Sequence, residues 1–559
     1  MPGREPGSEQ SPAHPSPRDA ALAAAIFAAC LLFVFLGIWR RGFTEFVPSV
    51  ERPGTFGVLT EADVRLAVWG TSRNAWVLTR APWHFFDAEP CYPTPRSLTL
   101  GHPMLSLGLL GVPLRLLAPD PVATYNAVFA VVILANALAM YLLVVQWTGS
   151  PAAGIAAGAL FAFHPVALDR VMHPQIYDLS WTLLALWFAQ RLCTGRRWRD
   201  ALGLGAALVV QMGGSFYAAA IGALVCAPFF AWLLWRSRGV RPAHAALVCG
   251  IALLGAALVY GPYLAARALQ DFERPDKYYL AWSALLPGGA RDPGLWLWAL
   301  AACGLALGRP RGGSAVGDPR AALVAAALLA ALAAAGGIAG SRFFYAALSW
   351  IPGFGSVRHP SLLAAGTHLA LSALAGLGVA ALVRACGPRR GRVAAGTLVA
   401  ATLATVLEPT PLSGAQTRLY ALRARPPQEE IDFYEALGSR GNAGPVLELL
   451  VSRVAPELRS RSVLLTAYHH RPVSTCYNSI EPRGGAEIER LIAALPDRAA
   501  QQRARELGFT TIVIQHPPRN AEMQAVRASF ERAQAEVPVP LLRPLYSTPW
   551  FSAFTLGGP

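Results

Sequence analysis

"ATYNAVFAVVILANALAMYLLVVQW", residues 123–147, holds no Asp, Glu, Lys, Arg or His. A helix of that length extends about 37 Å, more than the roughly 30 Å of hydrocarbon in a bilayer. It has no polar face to turn to water, so it belongs inside a large core or across a membrane. Recurrence decides between the two. Comparable runs lie at Ala20–Trp39, Pro151–Ala167, Ile176–Leu192, Leu202–Gly213, Ser215–Leu234 and Ala243–Ala265, then at Leu295–Gly308, Ala321–Gly340, Leu362–Val383 and Val393–Val406. About eleven spans are therefore expected. Composition agrees: 54% of the 559 residues are hydrophobic, 14% are charged, and the mean hydropathy is +0.38. The fold class is a polytopic α-helical membrane protein.

The net charge of +15 and the pI near 9.9 invite a nucleic-acid reading. Placement excludes it. The cations gather in short loops between apolar runs: "CTGRRWRD" (193–200), "RSRGVRPAH" (236–244), "RPRGGSAVGDPR" (309–320) and "RACGPRRGR" (384–392). An alternating path puts these loops on one side with the N-terminus, and the positive-inside rule makes that side cytoplasmic. Residues 1–19, rich in Pro, Ser and Gly, read as a disordered cytoplasmic tail. Residues 20–408 read as the multi-span domain, with a long first outward loop at 40–103. From 409 to 559 the pattern turns soluble: "EEIDFYEAL" as an amphipathic helix, "GPVLELLV" as a buried strand, "AEIERLIAALPDRAAQQRARELGF" as helix and "TTIVIQH" as a strand. An odd span count makes this a small extracytoplasmic α/β domain.

The first outward loop contains "TEADVRLAVWGTSRNAWVLTRAPWHFFDAEP" (60–90), with Glu61, Asp63, Asp87 and Glu89 beside Trp69, Trp76 and Trp83. Leu66, Trp69, Arg73, Trp76 and Arg80 recur at helical spacing. That stripe suits a helix lying in the headgroup region, with Asp63 at its N-terminal cap or one turn earlier. A second outward loop, "FHPVALDRVMHPQIYD" (163–178), packs His164, Asp169, Arg170, His173, Gln175 and Asp178 together, where an Asp169–Arg170 ion pair is one bland reading. Later outward loops carry Arg267, Arg274 and Lys277, then Arg342, Arg358 and His359. Carboxylates and cations on one face suit a phosphate-bearing lipid beside an activated hydroxyl: arginine forks hold phosphate and a carboxylate takes a proton. No nucleotide-binding glycine loop, HExxH or nucleophile elbow occurs. Cysteine spacing offers no metal site. Cys91 and Cys476 fall in outward segments where an oxidising compartment permits a disulfide, but they read as two unrelated thiols.

Several segments together resemble the bacterial membrane glycosyltransferases of the GT-C superfamily, the group with the protein O-mannosyltransferases and aminoarabinose transferases. They are "ADVRLAVW" (62–69), "HFFDAEPCYPTP" (84–95), "GHPMLSLGLLGVPL" (101–114), "TGSPAAGIAAGALFAFHP" (148–165), "HPQIYDLSW" (173–181), "IPGFGSVRHPSLLAAGTHLALSALAGLG" (351–378) and "LGFTTIVIQH" (507–516). The resemblance implies a GT-C-like fold in a bacterial inner membrane. It also implies transfer of a sugar, with inversion, from a polyprenyl-phosphate donor to a hydroxyl of a glycan, lipid or protein acceptor. By position Asp63 is the implied general base, Asp87 or Glu89 a second acid, and Arg358 a phosphate contact. Arg342, Lys277, His102, Asp169, Arg170, His173 and Gln175 complete the candidate substrate contacts. Related sequences place Gly-Asp where this chain has Ala62–Asp63, and often a glutamate where it has Gly101–His102. A divalent metal is thus an optional cofactor, since arginines can neutralise a departing phosphate. A transporter or flippase, or a non-catalytic envelope scaffold, are the rival readings. The spans carry almost no charge and show no inverted repeat, which disfavours transport.

Overall fold

The computed structural model describes residues 15–51, 54–236, 240–267, 277–286, 289, 291–308, 317–338, 341–351, 354–407, 418–439, 444–452, 454–535 and 542–557. Most of the disordered tail expected at 1–19, and Arg274, lie outside the described residues. The chain is a multi-pass membrane protein: six described helices are long and apolar enough to cross a bilayer, namely Pro17–Trp39, Pro121–Thr148, Pro151–Leu168, Phe216–Arg236, Pro242–Ala266 and Pro360–Cys386. Shorter apolar helices run over Leu105–Leu117, Leu295–Leu307 and Arg320–Ala335. Two compact units divide the chain. The first comprises residues 1–40, 129–259 and 273–420; the second comprises 41–128, 260–272 and 421–559.

In the first unit the helix Ala365–Cys386 is buried along most of its length. In a bilayer no hydrophobic drive holds apolar helices together, so close backbone approach through small residues must. Gly304 of Leu295–Leu307 and Gly378 supply it, because a Cβ on either would collide with the other helix's main chain.

The second unit is built around the helix Gly54–Arg80. Trp69 and Trp76 do share a stripe, as their spacing predicts, but protein covers it. The Trp69 indole Nε1 donates to Thr466 Oγ1 (2.9 Å), and Trp76 stacks on His470 with ring centroids 3.9 Å apart. The helix Pro456–His469 thus takes the place expected for lipid headgroups. Asp63 is also relocated. It stands inside the helix, more than two turns past Gly54, and so caps nothing.

The tail forms a four-stranded sheet flanked by helices. Val446–Leu449 pairs parallel with Thr511–Gln515, which pairs antiparallel with Phe551–Leu556, and that strand pairs with Leu542–Ser547. Alternation sends Ile512 and Ile514 to one face, with Leu447, Ile488 and Phe530. It sends Val513 to the other, with Ile431, Phe433 and Leu465. The expected helices appear as Gln428–Ser439, Gly485–Ala494 and Arg498–Glu506. The C-terminal hairpin was not read from sequence.

One acid of this domain gives a pH signature. Glu430 is buried 3.1 Å from Arg461. Burial pushes its carboxyl up to about 7, with Arg461 opposing and Glu448 and Glu429 reinforcing. The folded state therefore holds this proton more tightly than the unfolded chain does. Its contribution to stability is complete below about pH 4.5 and is lost as pH rises through about 7. Relative to wild type, Glu430→Gln is expected to flatten the fall in unfolding temperature between pH 5 and 8, a term of up to about 3 kcal/mol. Parallel melting curves for the two proteins across that range would contradict the assignment.

Candidate functional site

Asp63, Asp87, Glu89 and His102 belong to the second unit. Asp63 is half-buried, and its Oδ1 accepts a hydrogen bond from the Tyr477 hydroxyl at 2.9 Å. Burial, then the charge of Asp63 and this bond, raise the Tyr477 phenol above its usual range, so it remains a donor. Tyr477 lies 414 residues from Asp63. Sequence reasoning passed over it, and only its place one residue after Cys476 could have drawn notice.

Asp87 and Glu89 serve the loop that carries them. Buried Arg73 reaches from the helix to Glu89 Oε2 (3.2 Å) and to the carbonyls of Phe85 (2.5 Å), His84 (3.2 Å) and Asp87 (2.7 Å). Asp87, half-exposed, accepts from the Arg96 amide and faces His84 Nδ1, each at 3.3 Å. His102 is half-buried next to Gly101, whose carbonyl accepts from the Tyr263 hydroxyl at 3.0 Å. Three non-glycine residues of this segment, Cys91, Arg96 and Met104, have left-handed backbones with φ of 68°, 51° and 48°. Each such conformation costs about 1–3 kcal/mol and persists only where surroundings enforce it.

The enforcing element is the tail. Cys91 and Cys476 form a disulfide, which corrects the reading of two separate thiols. Around it the main chains pair: the Cys91 amide donates to Thr475 O (3.0 Å), Tyr92 to Val473 O (3.0 Å), Val473 to Glu89 O (2.8 Å) and Ile480 to Leu100 O (3.0 Å). The loop that carries the candidate acids is thus fastened to the segment that presents Tyr477.

Asp169, Arg170, His173, Gln175, Lys277, Arg342 and Arg358 belong to the first unit. The loop at 163–178 is largely buried, contrary to a solvated surface. Asp169 pairs with Arg291, not with its neighbour Arg170. Arg170 is only 6% exposed, and its buried Nε has no hydrogen-bond partner among the described residues. Burial pushes it down to about 10. With Arg291, Ser361, Thr367 and His368 it lines a cavity of about 20 Å³, room for one water or one phosphoryl oxygen. A buried guanidinium with an orphaned Nε calls for an anion. Gln175 is buried, and its main-chain carbonyl accepts from Ser215 Oγ (2.9 Å). His173 is half-buried in the same loop, its amide donating to Arg170 O (2.9 Å).

Lys277 is committed elsewhere: its ammonium donates to the carbonyls of Gly355 (2.5 Å) and Val357 (2.9 Å). Arg358 lies exposed over the Tyr278 ring at 5.4 Å, and Arg342, also exposed, over Tyr279 at 5.1 Å. Among the described residues no three His, Cys, Asp or Glu side chains converge on a point that could hold a metal. Asp87 and Glu89 have the partners described above, so no step is routed through a metal ion.

The first unit offers buried and exposed cations; the second offers a held carboxylate beside a disulfide-fastened loop. No protein-family model matches the chain, and no curated protein is significantly similar to it in sequence. Solved structures are similar. Two of arabinofuranosyltransferase AftD from mycobacteria, one of them carrying a point substitution, are each 16% identical to this chain and align with 98% of it. Their TM-scores are 0.48 and 0.51. The alignments cover 40% and 42% of those chains, so this chain spans less than half their length. At that identity the second likeness shows a shared fold and nothing more.

Proposed function

We propose that the chain is a membrane glycosyltransferase that moves a sugar from a polyprenyl-phosphate donor to an extracytoplasmic hydroxyl, inverting the anomeric centre. The N-terminus lies in the cytoplasm, and the tail domain stands outside a bacterial inner membrane. Asp63 takes the acceptor hydroxyl proton as that oxygen attacks the anomeric carbon. The bond to the carrier phosphate breaks as the new glycosidic bond forms, and the phosphate leaves with the electron pair. Within the first unit Arg170 suits a phosphate, because it is buried beside Arg291 in the same small cavity, and Arg358 and Arg342 are exposed there. Lys277 serves its own turn instead. The observation that carries the reading is the Asp63 carboxylate held by Tyr477 on a loop-bearing unit fastened by a disulfide.

Tyr477 is the positioning residue in this scheme, since it touches the base and not the substrate. Tyr477→Phe keeps the ring and removes one hydrogen bond to a charged group, worth about 1.5–3 kcal/mol. The expected result is a drop of about tenfold or more in kcat with acceptor KM nearly unchanged. A rise in KM alone, or unchanged kinetics, would remove Tyr477 from the machinery.

The test uses the purified chain in nanodiscs with polyprenyl-phosphate sugars, arabinofuranose first because that sugar is in the neighbour's name. Transfer to a glycan acceptor with release of polyprenyl phosphate supports the reading. Failure across a panel of such donors, with folded protein, counts against it. Arg170→Gln is expected to weaken binding of free polyprenyl phosphate about tenfold. Unchanged binding would remove Arg170 from any phosphate site.

A further inference from the structure

Behind the disulfide the second unit contains a cavity of about 330 Å³ that the transfer reaction as written does not use. It is at the small end of ligand sites. The loop 91–95 forms one wall and the 474–489 segment another; Leu450 and Leu507 contribute from the sheet side. We infer that this cavity is a saccharide subsite that holds a neutral or amino-bearing oligosaccharide, the part of the acceptor remote from the hydroxyl that reacts. The acceptor assignment rests on the proposed transferase; the binding itself does not.

The walls define the ligand's chemistry. Tyr92, Ile488 and Ile492 provide an apolar surface of the kind against which the C–H face of a sugar ring packs. Tyr92 is immobilised for this: its hydroxyl donates to Leu507 O at 3.1 Å, and its ring stands edge-to-face on Phe509 at 5.1 Å. Hydroxyls of Thr94, Ser474 and Thr475 and carboxylates of Glu481 and Glu489 line the same space, suiting a ligand rich in O–H donors. Four glutamates (448, 481, 487 and 489) and two arginines (459 and 483) line it, with Glu487 paired to Arg503 at 2.7 Å and the carboxyl of buried Glu448 pushed up by desolvation. Arg459 is already engaged with Cys476 O (2.6 Å) and Glu481 (3.0 Å). Counting Arg503, the carboxylates outnumber the arginines by one at most, a balance that favours a neutral or ammonium-bearing ligand over a phosphate or an acidic sugar.

A peptide fits less well. Peptides commonly bind by adding a strand to an open sheet edge, and the edge beside this cavity is closed. The Val446 amide donates to Pro472 O (2.8 Å), Ser474 donates to Val446 O (2.9 Å), and the Glu448 amide donates to Ser474 Oγ (3.0 Å). Recognition is left to side chains, as for a polyol. The wall also connects to the base, since Cys476, a lining residue, immediately precedes Tyr477.

The experiment is binding to the full chain in nanodiscs by saturation-transfer NMR and calorimetry. Probes are a neutral arabinose tetrasaccharide, a glucosamine tetrasaccharide, a phosphorylated tetrasaccharide and a basic serine-containing peptide. Gly484→Phe tests the cavity without a steric penalty in the fold, because a Cβ there meets nothing within 4 Å and φ is −75°. Glu489→Lys, at an exposed position, tests the charge. The expected result is binding of the neutral or amino tetrasaccharide, weakened tenfold or more by Gly484→Phe. Glu489→Lys should weaken the amino form at least tenfold, and the phosphorylated probe should bind at least tenfold more weakly than the neutral one. Binding unchanged by Gly484→Phe, no binding of either unphosphorylated saccharide, or tighter binding of the peptide would overturn the subsite. Asp63→Asn should leave saccharide binding within about twofold, so loss of transfer without loss of binding separates the two claims.

Discussion

Asp63→Asn is expected to lower kcat/KM for transfer by about 10²–10⁴, the usual contribution of a general base. Asparagine has nearly the same shape, and its amide oxygen can still accept from the Tyr477 hydroxyl, so the local geometry should survive. Because Asp63 stands within the helix Gly54–Arg80 and caps no terminus, little stability should be lost. Thermal unfolding within about 1 kcal/mol of wild type is the matching expectation. Single-turnover transfer and a melting curve on one preparation check both. A large melting shift with transfer reduced only in proportion would make Asp63 structural.

Breaking the Cys91–Cys476 disulfide should have the largest effect on stability. The bond joins residues 385 apart in sequence. A cross-link closing so long a loop restricts the unfolded chain strongly, for a stabilisation of about 6 kcal/mol in the chain-entropy account. It also holds the left-handed residues Cys91, Arg96 and Met104 in a loop that the tail must enforce. The Cys91→Ser/Cys476→Ser double variant, or reduction of the wild type, should lower the second unit's unfolding free energy by about that amount and make residues 85–104 exchange amide hydrogens faster. Transfer should fall as well, since Cys476 adjoins Tyr477. Unchanged exchange in that segment would show that the hydrogen bonds alone suffice.

What the sequence disclosed followed from periodicity and charge. Six of the expected apolar runs became helices long and apolar enough to cross a bilayer, and the β-branched "TTIVIQH" became the strand Thr511–Gln515 because its continuous apolar run fits a sheet packed on both faces. Trp69 and Trp76 were rightly placed on one helical stripe. Their neighbour was mistaken, because an amphipathic stripe reads the same whether lipid or a helix 390 residues later covers it. The site was less legible for the same reason. Asp63 was named, but Tyr477 reaches it, and in the other unit Arg291 reaches Asp169, through contacts between distant segments that no local pattern encodes. The disulfide had a signal in two cysteines sharing outward segments, but spacing alone could not pair them. Arg170 and Lys277 looked equivalent as loop cations; burial with an orphaned Nε for one and two carbonyls for the other tell them apart.

The central claim is that Asp63 is the base of a lipid-linked sugar transfer. It is tested most directly by mass spectrometry of polyprenyl-phosphate sugars and surface glycans in a deletion strain, complemented with either the wild-type chain or Asp63→Asn at matched membrane levels. The account expects one sugar-carrier lipid to accumulate and one glycan to vanish, with rescue by the wild type alone; the accumulated lipid would then name the donor. Full rescue by Asp63→Asn would contradict the catalytic assignment. If neither lipid nor glycan changes on deletion, the transferase reading itself fails.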